Sequence, residues 1–137
     1  MNDLISSETV RALLLAEGGE DATSSPARVA SAAQQVWARI AQRFGMLIGE
    51  DGMRAVQNRS VAIAAARVPW LAASAGAGAS LQTSLEAQSV ADALAGFAEL
   101  LASLVALLGR FIGPGLVGRV MSDLWPGVFS RDEKELV

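Results

Sequence analysis

At 137 residues the chain suits one domain with a buried core, and 52% of it is hydrophobic, weighted towards alanine and leucine. Cys and His are both absent. That excludes thiolate chemistry, imidazole metal sites, Ser-His relays and any disulfide framework. The formal charge of −3 is modest, but residues 26–70 carry six arginines against only Glu50 and Asp51, so the acids concentrate in the N-terminal arm and the C-terminal half. Tyr is absent and strand formers are sparse, which favours an all-α chain.

In chain order, Ser6 and Ser7 can cap a short helix with Val10, Leu13 and Leu14 on its apolar side. Gly18-Gly19 ends it, and "EGGEDATSS" reads as a flexible loop. Ser25-Pro26 is a helix start, with an N-cap serine and proline at the first helical position. Val29, Ala33, Val36, Ile40, Phe44 and Leu47 then recur at steps of three and four, predicting a helix to about Ile48. "GEDG" interrupts it. A third helix carries Met53, Val56, Ala64 and Val68 and is closed by Pro69. "AASAGAGAS" (72–80) reads as a small-residue linker. Thr83 and Glu86 have the spacing of a capping box, and a helix is expected over 84–112. Within it, Val90, Leu94, Phe97, Leu101, Leu104, Leu108 and Phe111 form a heptad seam. Leu100, Val105, Leu107 and Ile112 widen the seam, and only a narrow strip with Asp92, Glu99, Ser103 and Arg110 is polar. Such a helix must be covered on most sides. Gly113-Pro114 starts a last helix to about Leu124, stopped by Trp125-Pro126.

The expected fold is therefore all-α: a compact bundle of about five helices around one long buried helix. Residues 1–25 are read as a short helix and loop, 26–129 as the bundle domain, and 130–137 as a charged, frayed tail. Within the bundle, 26–70 and 84–126 resemble two copies of a helix-Gly-helix unit. A shift of 64 residues sets Ile48-Gly49 on Ile112-Gly113 and Val56 on Val120. It also sets Ile40, Phe44, Leu47 and Met53 on Leu104, Leu108, Phe111 and Val117.

Residues 113–118 spell the dinucleotide fingerprint G-x-G-x-x-G, which works when a buried strand feeds a tight turn and a helix N-terminus faces pyrophosphate. Here the preceding residues have helical period, and Pro114 removes one N–H that a phosphate would need. Gly113 and Pro114, with Gly49, are therefore read as structural breaks. "IAQRFG" (40–45) resembles the first half of a DNA-binding helix-turn-helix. The second helix of that motif wants apolar residues where this chain has Asp51 and Arg54, so nucleic acid is not expected as a partner through it.

Arg28, Arg39 and Arg43 share a helix face, and Arg54 and Arg59 follow on the next helix with Arg67. This cationic stripe can meet phosphate, an acidic membrane surface or an acidic partner; pairing with the chain's own acids is the competing reading. Residues 94–117 are apolar enough to suggest a membrane span, but Glu99, Arg110 and the Gly-Pro break favour a buried bundle helix. Glu50 and Asp51 are adjacent and diverge, and Asp92 and Glu99 stand seven residues apart, so no catalytic constellation and no metal, cofactor or small-molecule substrate is expected. Trp70, Trp125, Phe97, Leu101 and Leu104 are candidate interface anchors. The expected function is a non-enzymatic interaction or regulatory module that forms a homodimer or binds a partner protein through apolar helix faces. The anion-binding stripe is the alternative. Met1-Asn2-Asp3 lacks the basic start of a signal peptide, so a cytoplasmic location is expected.

Overall fold

A computed structural model of the protein describes residues 5–74 and 78–129. Among them it is all-α: α1 (Ser7–Gly18), α2 (Pro26–Ile48), α3 (Glu50–Ala65), a 3₁₀ turn (Pro69–Ser74), α4 (Gly78–Glu86), α5 (Val90–Ile112), α6 (Pro114–Leu124) and α7 (Pro126–Phe129). Local chemistry sets the helix starts. The side chains of Ser6, Ser25 and Ser89 accept hydrogen bonds from the N–H groups of Thr9, Arg28 and Asp92, satisfying donors that the first helical turn leaves open.

Four expectations need correcting. The 19–25 loop is a folded turn: Ala22 N–H donates to Gly19 O, Ser24 N–H and Oγ donate to Asp21 O, and Ala22 is buried. Pro69 does not simply end a helix but opens the 3₁₀ turn. The linker over 72–80 is shorter than its composition suggests, because the 3₁₀ turn runs to Ser74 and α4 starts at Gly78; residues 75–77 lie outside the described residues. Thr83 is internal to α4, so the helix expected over 84–112 is two helices, and Ser89 caps the second. Burial of Leu81 and Leu85 explains the difference, since α4 has its own apolar side lying along α2. The tail at 130–137 falls outside the described residues.

One core joins all the helices. Val29, Val36, Ile40 and Phe44 from α2 meet Leu94, Phe97, Leu101, Leu104 and Leu108 from α5, with Leu13 and Leu14 from α1 and Leu81 and Leu85 from α4 all buried. Trp37 and Phe97 touch edge to face, with ring centroids 6.3 Å apart. Ile48 and Ile112 line one hollow near the far ends of the same two helices. These two levels make α2 and α5 parallel, so both glycine joints lie at one end of the bundle. There α3 and α6 fold back, and α3 runs antiparallel along α5.

The two joints share a geometry. Gly49 has φ 88° and ψ 155°, Gly113 has φ 92° and ψ 137°, and each donates its N–H to the carbonyl four residues back. The positions aligned by the sequence echo agree in burial. Ile40 and Leu104, Phe44 and Leu108, Met53 and Val117, and Val56 and Val120 are all buried, while Leu47 and Phe111 are both exposed. The surroundings are not matched: α2 lies beside α4, α1 and α3, whereas α5 lies beside α3, α6 and α1.

The positive φ at Gly113 belongs to a region that residues with a Cβ rarely occupy, although a Cβ there would touch nothing within 4 Å. Gly113→Ala is therefore expected to cost about 1–3 kcal/mol from backbone conformation alone. Gly118, inside α6 with open space around it, should gain up to about 1 kcal/mol on replacement by Ala. Thermal melts of the two variants moving in opposite directions would confirm that the fingerprint glycines shape a joint. Equal shifts would refute it.

Candidate interaction surface

Helix periodicity places Gly52, Ala55, Arg59 and Ile63 on one face of α3, with Arg67 in the turn just after it, and Ala95, Glu99, Ala102, Ser103, Ala106 and Arg110 on one face of α5. The rest of α5 is largely inside: Leu94, Phe97, Leu100, Leu101, Leu104 and Leu108 are buried. The two faces border a trough along the α3–α5 seam. Its upper hollow, about 690 Å³, lies between Ile63, Arg67 and Val68 on one side and Ile5 and Ser7 on the other, with the α5 strip as floor. Its lower hollow, about 620 Å³, is lined by Ile48, Gly52, Ala55, Val56, Arg59, Leu107, Phe111 and Ile112. Leu107 lines both.

The lower hollow is mostly apolar, the upper one is as polar as it is apolar, and both are open to solvent. Phe111 is 66% exposed on its lower wall and Ile63 41% exposed on its upper one. At the same end of the bundle Met46, in the last turn of α2, is 78% exposed. The charges on the trough are few: Arg67 Nη1 lies 3.5 Å from Glu99 Oε2, and Arg59 and Arg110 have no ion-pair partner among the described residues.

The arginine stripe is mostly neutralised by the chain's own acids. Arg28 pairs with Asp21 at 3.2 Å, Arg39 with Glu17 at 3.1 Å, Arg54 with Asp51 at 3.1 Å and Arg43 with Asp123 at 3.9 Å. Of the candidate anion-binding residues, Arg59 alone has no such partner among the described residues, and it stands in the trough rather than with the others. The pairs of Arg28, Arg43 and Arg54 are exposed and add at most about 1 kcal/mol each to stability. Their effect is to cancel the local positive field.

Three of the candidate anchors also need correction. Phe97, Leu101 and Leu104 are fully buried by the chain's own helices and have no surface to offer a second molecule. Trp125 is 95% enclosed, touches Phe129 at a centroid distance of 6.4 Å and donates its indole N–H to Glu17 Oε1 at 3.1 Å. The ring of Trp70, half-buried, lies over Gly96, where a Cβ would approach it to 2.5 Å, so Gly96 in α5 is the seat for that ring. Among the described residues the exposed large apolar side chains are instead Met46, Phe111, Leu47, Ile63, Leu116 and Leu15, of which only Phe111 sits on the predicted seam.

Sequence reasoning also missed Glu17. Its carboxylate is 90% enclosed, with Oε2 accepting from Arg39 Nη2 and Oε1 from Trp125 Nε1. One side chain therefore ties α1 to α2 and to the segment after α6. No local pattern announces this, because the partners are 22 and 108 residues away.

Among the described residues, no group of three or more Asp or Glu side chains gathers to hold a metal ion. Glu50 and Asp51 stand exposed in the first turn of α3, where acids favour the helix dipole. Asp92 is exposed and Glu99 is held by Arg67. Val90–Ile112 has the length and mean hydropathy of a membrane span, and nine of its residues lie in the bundle's core. Gly45 lies within α2 and not at a turn, so "IAQRFG" does not form a helix-turn-helix. No family model matches the chain, and no curated protein or solved structure matches it significantly.

Proposed function

We propose that this protein is a non-enzymatic helical interaction module of the cytoplasm that self-associates through the apolar α3–α5 trough. The observation that carries this reading is the bare α3–α5 seam. A helix with nine buried positions in its own core still turns an unpartnered face outward, beside a phenylalanine that is 66% exposed. Large apolar side chains left in water at the rim of a concave surface are typical of surfaces that close on another protein. Shallow grooves over helix pairs suit a helix as the ligand.

Size-exclusion chromatography with light scattering tests the reading. The wild type is expected at twice the 14.2 kDa chain mass. Phe111→Asp is expected to shift the mass towards the monomer while changing the stability of the isolated fold by no more than about 0.5 kcal/mol, since the site is exposed. A wild type that stays at 14.2 kDa across the accessible concentration range would overturn it.

A further inference from the structure

The outward strip of α5 has a charge order that selects one way for a second copy to bind. Its acids, Asp92 and Glu99, lie in the N-terminal half, and its cation, Arg110, in the last turn. Between them stand Ala102, Ser103 and Ala106, small enough to let another helix approach to about 8 Å between axes. Arg110 is exposed and unpaired among the described residues, whereas Glu99 uses one carboxylate oxygen, Oε2, towards Arg67.

A parallel pair of these helices would bring Glu99 against Glu99 and Arg110 against Arg110. An antiparallel pair does the opposite, and a two-fold axis perpendicular to the helices generates it. We propose that two copies of this chain dimerise by laying α5 antiparallel against α5, each in the trough of the other, with Glu99 of one chain paired with Arg110 of the second. This register sets Ser103 opposite Ala106, so small residues meet at the centre, and Ala102 opposite Leu107. The walls of the trough, Ile63 and Arg67 on one side and Ile5 on the other, then flank the incoming helix. Phe111 of each chain falls level with the Ala95–Glu99 turn of the other, which covers the most prominent apolar side chain on the seam. The proposal rests on the self-association reading above and adds its surface, direction and register.

Charge reversal across the pair is the test, using the full chain. Arg110→Glu is the cleaner single change, because it removes no ion pair among the described residues; Glu99→Arg loses the Arg67 contact, so its fold is checked by circular dichroism melting. In light scattering and sedimentation equilibrium, each single reversal is expected to weaken the dimer about tenfold or more. The double variant, Glu99→Arg with Arg110→Glu, is expected to recover most of the wild-type affinity. An Arg110→Glu variant that dimerises as well as wild type, or a double variant no tighter than the singles, overturns the antiparallel pairing while leaving self-association standing. A monomeric wild type overturns both. If that monomer also sediments with phosphatidylglycerol vesicles and Arg110→Glu abolishes the binding, the strip serves a lipid surface instead.

Discussion

Replacing Phe97 by Ala is expected to destabilise the protein by about 3–5 kcal/mol, the usual cost of emptying a fully buried phenyl site. Phe97 is 0% exposed at the middle of α5 and meets the indole of Trp37 edge to face at 6.3 Å. The change removes both the apolar transfer energy and the ring–ring term, the latter adding about 0.5–1.5 kcal/mol. Because a domain of this size is held by only about 5–15 kcal/mol, the melting temperature should fall by roughly 10–15 °C. Phe97→Leu, which keeps most of the volume, should lose less than half as much. The measurement also separates two roles for this residue. A core position lowers the melt of the monomer at high dilution, whereas an interface anchor would weaken association and leave the dilute melt unchanged.

The second large effect is expected at Glu17. Glu17→Leu strands the Trp125 indole N–H in a place where Trp125 is only 5% exposed. An unsatisfied buried donor costs about 1–3 kcal/mol. The Arg39 side chain is 50% exposed, so its guanidinium rehydrates and adds no more than about 1 kcal/mol to the loss. The expected total is about 2–3 kcal/mol in urea unfolding. Glu17→Gln keeps an acceptor for the indole and gives up only the charge, with an expected loss of about 1 kcal/mol. Arg39→Ala should cost no more than Glu17→Gln. If Arg39→Ala proved the most damaging of the three, the carboxylate would matter chiefly as an ion pair and the assignment of its role to Trp125 would be wrong.

The parts of this fold that can be read in the sequence are those decided within a few residues. Ser25-Pro26 starts α2, Gly113-Pro114 separates α5 from α6, and the seam from Leu94 to Leu108 is the core because helical period alone sets which residues share a face. The misplaced start of α5 shows the limit. Thr83 and Ser89 both have cap chemistry, and the choice between them follows from Leu81 and Leu85 being buried beside α2, a tertiary fact. The 72–80 linker sets a similar limit, since alanine-rich sequence is compatible with both a loose tether and a helix until packing decides.

The candidate surface was half visible. The polar strip Asp92, Glu99, Ser103 and Arg110 marks the face of α5 turned to water, as the structure has it. What periodicity could not supply was the neighbour: that α3 runs beside this strip, and that Ile63 and Phe111 stand on the resulting trough. The arginines show the same limit. Their shared azimuth on α2 was readable, but Asp21, Glu17 and Asp123 come from a turn and two other helices, so the cancellation of their charge appears only in three dimensions.

The hydrogen bond from Trp125 to Glu17 also bears on how the molecule opens. It joins residues 108 positions apart in the chain, so the first helix gains its full complement of contacts only after the segment that follows α6 has docked. Release of that segment exposes a carboxylate and an indole at the same moment. The amide protons of α1 and those near Trp125 should therefore exchange with solvent as one cooperative unit. Among the described residues, the first and last helical elements are then expected to share a single local stability.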